Sequence, residues 1–175
     1  MMRKFVLSLS LMLMAVLATA PATMAQDRLE GTMELDRNEC YDVSHGDGVF
    51  SWSGTVDFEG DVYDIVFWSV GGGLPLGYAP AEGYGPFNEV WAAYDGLEVA
   101  FDEACQIASF EGDPVLWGVN AGLVDTESMD YAATGVVIGA QDAFDGHAGS
   151  DMAMEGAIVT AEDETRTAPG VLLIG

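Results

Sequence analysis

Apolar and polar residues alternate along much of this chain with a period of two. In Val49 to Phe58, the residues Phe50, Trp52, Gly54, Val56 and Phe58 fall on one face, and Ser51, Ser53, Thr55 and Asp57 fall on the other. Asp151 to Thr160 repeats this, with Met152, Met154, Gly156 and Ile158 opposite Asp151, Ala153, Glu155 and Ala157. Successive side chains of a strand point to opposite faces, so both runs predict half-buried strands. The breaks between runs pair Gly with an acid: Gly46-Asp47-Gly48, Glu59-Gly60-Asp61, Asp95-Gly96, Glu111-Gly112-Asp113 and Asp145-Gly146. Such pairs accept the positive φ of tight hairpins, which makes neighbouring strands antiparallel. The pattern predicts strands near 29–35, 48–58, 62–70, 89–94, 97–102, 114–121, 130–138, 151–160 and 170–174. Glu89 to Tyr94 and Asp102 to Phe110 have room for a helical turn or two, but neither forms a convincing amphipathic helix.

The class is therefore all-β, and one domain of about eight strands has two economical closures, an antiparallel β-barrel or a two-sheet β-sandwich. The barrel is preferred. Gly54, Gly118, Gly135 and Gly156 interrupt the apolar faces, as expected where strands bend sharply or pack closely at barrel corners.

Four stretches carry a family resemblance: Tyr131-Ala-Ala-Thr-Gly135-Val-Val, Phe144-Asp-Gly-His-Ala-Gly149, Met152-Ala-Met-Glu-Gly156-Ala-Ile-Val, and Ala168-Pro-Gly-Val-Leu-Leu-Ile174. Their spacing resembles that of small exported bacterial β-barrels of the allene-oxide-cyclase-like or dirigent-like type, most of which have no assigned activity. Phe50 to Val56 fits the same style of strand, Gly and strand. The resemblance implies an eight-stranded barrel. It transfers no catalytic residue, because no active-site motif of that family matches a position here.

Composition adds the compartment. Met1 to Ala25 reads as a secretory signal peptide, with Arg3 and Lys4 ahead of an apolar stretch from Phe5 to Ala18 and small residues around Ala25. That stretch is shorter than the roughly 20 residues of a spanning helix. The expectation is a secreted or periplasmic domain over 26–175 that is not an integral membrane protein. Export makes Cys40 and Cys105 most simply one disulfide, closing a loop of 66 residues. Chain entropy gives such a staple roughly 4 kcal/mol.

Charge excludes further classes. The chain holds 29 Asp and Glu against 5 Lys and Arg, a net charge of -24. Removal of the leader leaves three arginines, Arg28, Arg37 and Arg166, and a net charge of -26. Sequence-independent nucleic-acid binding needs cations at the phosphates and is excluded. Half the residues are nonetheless apolar, so the chain has the material for a core. Solubility in saline surroundings accounts for the acidity; calcium held by facing carboxylates is the sharper alternative.

Candidate chemistry is sparse. Asp142-x-x-Asp145-Gly146-His147, with Ser150 and Asp151 nearby, could share a proton or hold a divalent cation, although it matches no EF-hand or glycine-rich calcium repeat. Asp142 and Asp145 are the candidate metal ligands, with Asp125, Glu127 and Asp130 as further carboxylates to place beside them. His45 reads as a hairpin-tip residue. The segment from Gly71 to Asn88 is irregular and rich in Gly and Pro, and carries Tyr78, Tyr84 and Phe87, which suit a loop closing over an apolar ligand as well as rings packed on the barrel wall. Trp52, Trp68, Trp91 and Trp117 line a cavity or fill a core. The candidate ligand-binding set is Trp52, Trp68, Tyr78, Tyr84, Phe87 and Trp117. The functional expectation is a non-catalytic binding or structural module with no cofactor, holding a small apolar ligand in the barrel. The alternatives are an isomerase or cyclase with an apolar cavity, and a calcium-dependent adhesion protein.

Overall fold

A computed structural model describes residues 28–37, 51–69, 82–96, 98–101 and 107–175. The leader, Cys40, His45, Tyr78 and Cys105 lie outside the described residues, and so does the expected disulfide.

The strands are β1 (Leu29–Arg37), β2 (Ser51–Phe58), β3 (Asp61–Ser69), β4 (Tyr84–Tyr94), β5 (Glu98–Phe101), β6 (Ile107–Glu111), β7 (Pro114–Asp125), β8 (Asp130–Ala140), β9 (Asp151–Ala157), β10 (Val159–Thr160), β11 (Arg166–Thr167) and β12 (Gly170–Ile174). Eight of them, β1-β2-β3-β4-β7-β8-β9-β12, form an antiparallel meander in chain order. What separates barrel from sandwich is β1. Gly31 pairs with Phe58 of β2 on one side and with Leu172 of β12 on the other, so the ladder runs round without an edge. The β10–β11 pair joins β1 outside this ring, and β5–β6 is a separate hairpin between β4 and β7.

Local chemistry explains the turns. Glu59 and Gly60 have φ of 57° and 102° between the paired residues Phe58 and Asp61, the two-residue loop that matches strand twist. Asp57 fixes it by accepting the Gly60 N–H at 2.6 Å. Asp125 Oδ1 accepts the N–H groups of Glu127 at 2.9 Å and Ser128 at 3.1 Å, turning β7 into β8.

Three expectations need correction. Tyr84 to Asn88, read as part of a long loop, extends β4 by pairing with Phe87↔Gly122 and Pro86↔Leu123 in β7. Pro86 lies three residues beyond Glu89, the last β4 residue with a described β3 partner. Of Asp102 to Phe110, Ile107 onward is strand paired with β5, and 102–106 lie outside the described residues. The single strand expected over 151–160 breaks after Ala157, where Ile158 N–H leaves the ladder for the Met129 carbonyl at 2.9 Å.

The interior face carries Met33, Val56, Ile65, Phe67, Trp91, Leu116, Val137, Met152, Leu172 and Ile174, all essentially inaccessible. An eight-stranded barrel is just wide enough to be filled by its own side chains or to hold one small ligand, and this one is filled mainly by aliphatic side chains with Phe67, Trp91 and two methionines among them. Its large rings lie over glycines of the next strand: a Cβ at Gly118 would meet the Trp91 ring at 2.8 Å, and one at Gly122 would meet Phe87 at 2.5 Å. Glu30, Glu34, Asp151 and Glu155 are exposed on the outer face. No helix among the described residues is long and apolar enough to cross a membrane.

Candidate binding site at one mouth of the barrel

One end of the ring is closed by a short 3-10 turn, Asp142–Phe144, between β8 and β9. Phe144 packs edge-on to Phe58 and Tyr63, with ring centroids 5.4 and 5.0 Å away. The other end is the mouth, where β1, β3, β7 and β9 finish and β2, β4, β8 and β12 begin.

A cavity of about 40 Å³ sits inside this mouth. The rings of Trp52, Phe67, Phe87 and Tyr131 line it, with Leu35, Val124 and Met154 among the aliphatic contacts and Glu89 as the one carboxyl. A water needs roughly 10–15 Å³ by this kind of measure, so the space takes a few waters or the tip of a ligand.

Glu89 is 3% exposed. The pleat places it inside, since β4 turns Phe87, Glu89, Trp91 and Ala93 to the same face. Register then builds a polar row across three strands, with Ser69 of β3 and Asn120 of β7 on either side of Glu89. Asn120 Nδ2 donates to Glu89 Oε2 at 3.1 Å and lies 3.4 Å from Met154 Sδ. The buried Ser69 Oγ, Asn120 Oδ1 and Trp91 Nε1 have no hydrogen-bond partner among the described residues. Burial pushes the Glu89 carboxyl up to about 7 against the opposing pull of the Asn120 hydrogen bond, because a charge in an apolar interior loses its hydration. Tyr131 is driven up to about 12, first by burial and then by the negative charge of Glu89. Its hydroxyl reaches the carbonyls of Ala168 and Pro169, each at 3.4 Å, across the paired Gly156 and Gly170.

The residues singled out in the sequence divide between the two faces of the wall. Trp52 and Phe87 line the mouth cavity. Trp68 alternates with the inward Phe67 and Ser69 and stands on the outer face. Trp117 also faces out, because it alternates with the inward Leu116 and Gly118, and its ring lies over Gly139. Tyr84 is 43% exposed and borders a broad outer concavity of about 930 Å³ over Leu123, Ala132 and Val171. Phe67 and Trp91 take the interior places that Trp68 and Trp117 do not.

Asp142 and Asp145 are exposed residues of the 3-10 turn, where Asp145 N–H bonds the Asp142 carbonyl at 3.2 Å. Asp125, Glu127 and Asp130 are at the opposite end of β8, which at the usual rise per residue is roughly 30 Å away. The two carboxylate groups therefore do not meet. Among the described residues no three His, Cys, Asp or Glu side chains gather closely enough to hold a metal ion.

Sequence reasoning missed Glu89 and Asn120. A signal was present: each interrupts an apolar alternation, Phe87-x-Glu89-x-Trp91 and Gly118-x-Asn120-x-Gly122. Starting β4 at Glu89 put the acid at a strand end, where a solvated carboxylate is unremarkable.

No protein-family model matches the chain, and neither a curated protein nor a solved structure is significantly similar to it. The fold and the mouth geometry are the whole basis for a functional reading.

Proposed function

We propose that the chain is an exported, acidic β-barrel acting as a non-catalytic binding module of the cell envelope or extracellular space. Its mouth holds the end of a small, largely apolar ligand. The observation that carries this reading is the buried Glu89 carboxyl, bonded to Asn120 through one oxygen and standing among the residues of a cavity lined by rings. Apolar walls with a few convergent polar groups are the usual make-up of a ligand site. The volume limits what enters to a short apolar tip carrying one polar group. Leader and charge support export, and the allene-oxide-cyclase-like spacing supports a barrel scaffold but supplies no site residue.

Nuclear magnetic resonance titration with small alcohols and amines tests the site. Shifts should concentrate on Leu35, Trp52, Phe87, Glu89 and Tyr131, and should vanish in Leu35→Trp, which fills the mouth. Shifts confined to the outer wall around Leu123 and Val171 would defeat the proposal.

One observation favours a second reading as an isomerase or cyclase: a carboxyl that titrates near neutrality beside an apolar cavity suits general acid–base work. A small cyclic ketone incubated in heavy water separates the two. An enzyme of that type removes an α-proton onto Glu89 and returns a deuteron, so deuterium accumulates in the ketone; a binding module leaves it unlabelled.

A further inference from the structure

We propose that the mouth is an ammonium site, whose ligand is a primary alkylammonium with its head against the Glu89 carboxylate and its short stem among the rings of Trp52, Phe67, Phe87 and Tyr131. The inference rests on reading the mouth as a binding site and names the ligand class.

Chemical complementarity carries it. A buried carboxylate is stable only when paired or hydrogen-bonded. Asn120 satisfies one oxygen of Glu89, which is the carboxyl among the described residues lining the cavity. Among the described residues no Lys, Arg or His lines the cavity. Arg37 lies two residues beyond Leu35 toward the end of β1 and is not in that lining, and Tyr131, the other titratable wall residue, already donates to backbone carbonyls. Of the polar row, Glu89 is the member that lines the cavity; Asn120 Oδ1 and Ser69 Oγ stand on the same level of the barrel, buried and without partners among the described residues. A primary ammonium has three donors and no acceptor, the complement of a carboxylate, which only accepts. Four aromatic rings around the cavity add the electron-rich faces that attract a cation. The net charge of -24 raises the local concentration of cations over the whole surface.

The protons balance simply. Where Glu89 is protonated in the free protein, ammonium binding leaves carboxylate and ammonium in the cavity and passes one proton to buffer. Binding therefore strengthens as pH rises through the Glu89 titration, whereas a ligand carbonyl accepting from protonated Glu89 would show the opposite slope.

The test titrates the full chain with n-propylammonium chloride and with 1-propanol at matched ionic strength, following the mouth resonances at about pH 5 and about pH 8. The expected result is propylammonium binding on the order of a hundredfold tighter at the higher pH, with propanol weaker and indifferent to pH. Glu89→Gln should lose about tenfold for propylammonium while keeping propanol. Calorimetry in buffers of different ionisation enthalpy should register proton release near neutrality. Propanol binding as tightly as propylammonium, or binding that weakens with pH, overturns the ammonium assignment and leaves the mouth as a site. Absence of mouth shifts with either probe overturns both readings. The wild-type pH comparison decides the matter even where Glu89→Gln fails to fold.

Discussion

Glu89 sits on a strand face where its neighbours two residues away are Phe87 and Trp91, and that placement alone sets its behaviour. The fold raises its pKa from 4.5 to about 7, so between those values the native state holds a proton that the unfolded state has lost. Stability should therefore fall as pH rises from about 4.5 to about 7 and level off above, by about 3 kcal/mol in all. Glu89→Gln should flatten that slope and stabilise the protein at alkaline pH; urea midpoints measured across the range check both. A steric prediction belongs to the same scale. A Cβ at Gly135 would run into the backbone of Val119 and Asn120, which cannot rotate away. Gly135→Ala should lose about 2 kcal/mol or more, within the range for overpacked cores, as read from denaturant unfolding.

At the level of elements, the two ends of the barrel are separable. The 3-10 turn plugs the closed end through Phe144, which is 3% exposed and wedged between Phe58 and Tyr63. Phe144→Ala should cost about 3–5 kcal/mol while leaving probe affinity at the mouth unchanged, a combination that thermal melts and titration can check together. Much of the element pattern was legible in the sequence. The Glu59-Gly60 hairpin follows from two residues that accept positive φ. The ends of β4 and β7 were not legible, because Tyr84 to Asn88 and Gly122 to Asp125 are strand only through pairing with each other. Trp68 and Trp117 show the same limit: which face of a strand turns inward depends on its register with its neighbours.

For the whole molecule, charge and core act on different variables. The apolar interior drives folding, while 29 acids against 5 bases repel across the surface. Sodium chloride raised from about 0.01 M to about 1 M shortens the screening length from about 30 Å to about 3 Å. The melting temperature should climb over that range, and Glu89→Gln should climb with it, since screening acts on the outer wall and leaves the interior carboxyl untouched. A melting temperature that stays flat with salt would mean that surface repulsion contributes little to stability.

Alternation, turn chemistry and net charge are properties of short segments or of simple sums, so the amino-acid sequence by itself determined the all-β class, the antiparallel connections and the acidic exterior. Closure of β12 onto β1, and with it the barrel rather than the sandwich, was decided only by the tertiary structure, since it joins the two ends of the meander. The same holds for the site. Among the described acids, Glu89 is the one that joins four rings in lining the mouth cavity, with Asn120 bonded to it, and only the registers of β3, β4 and β7 could choose it.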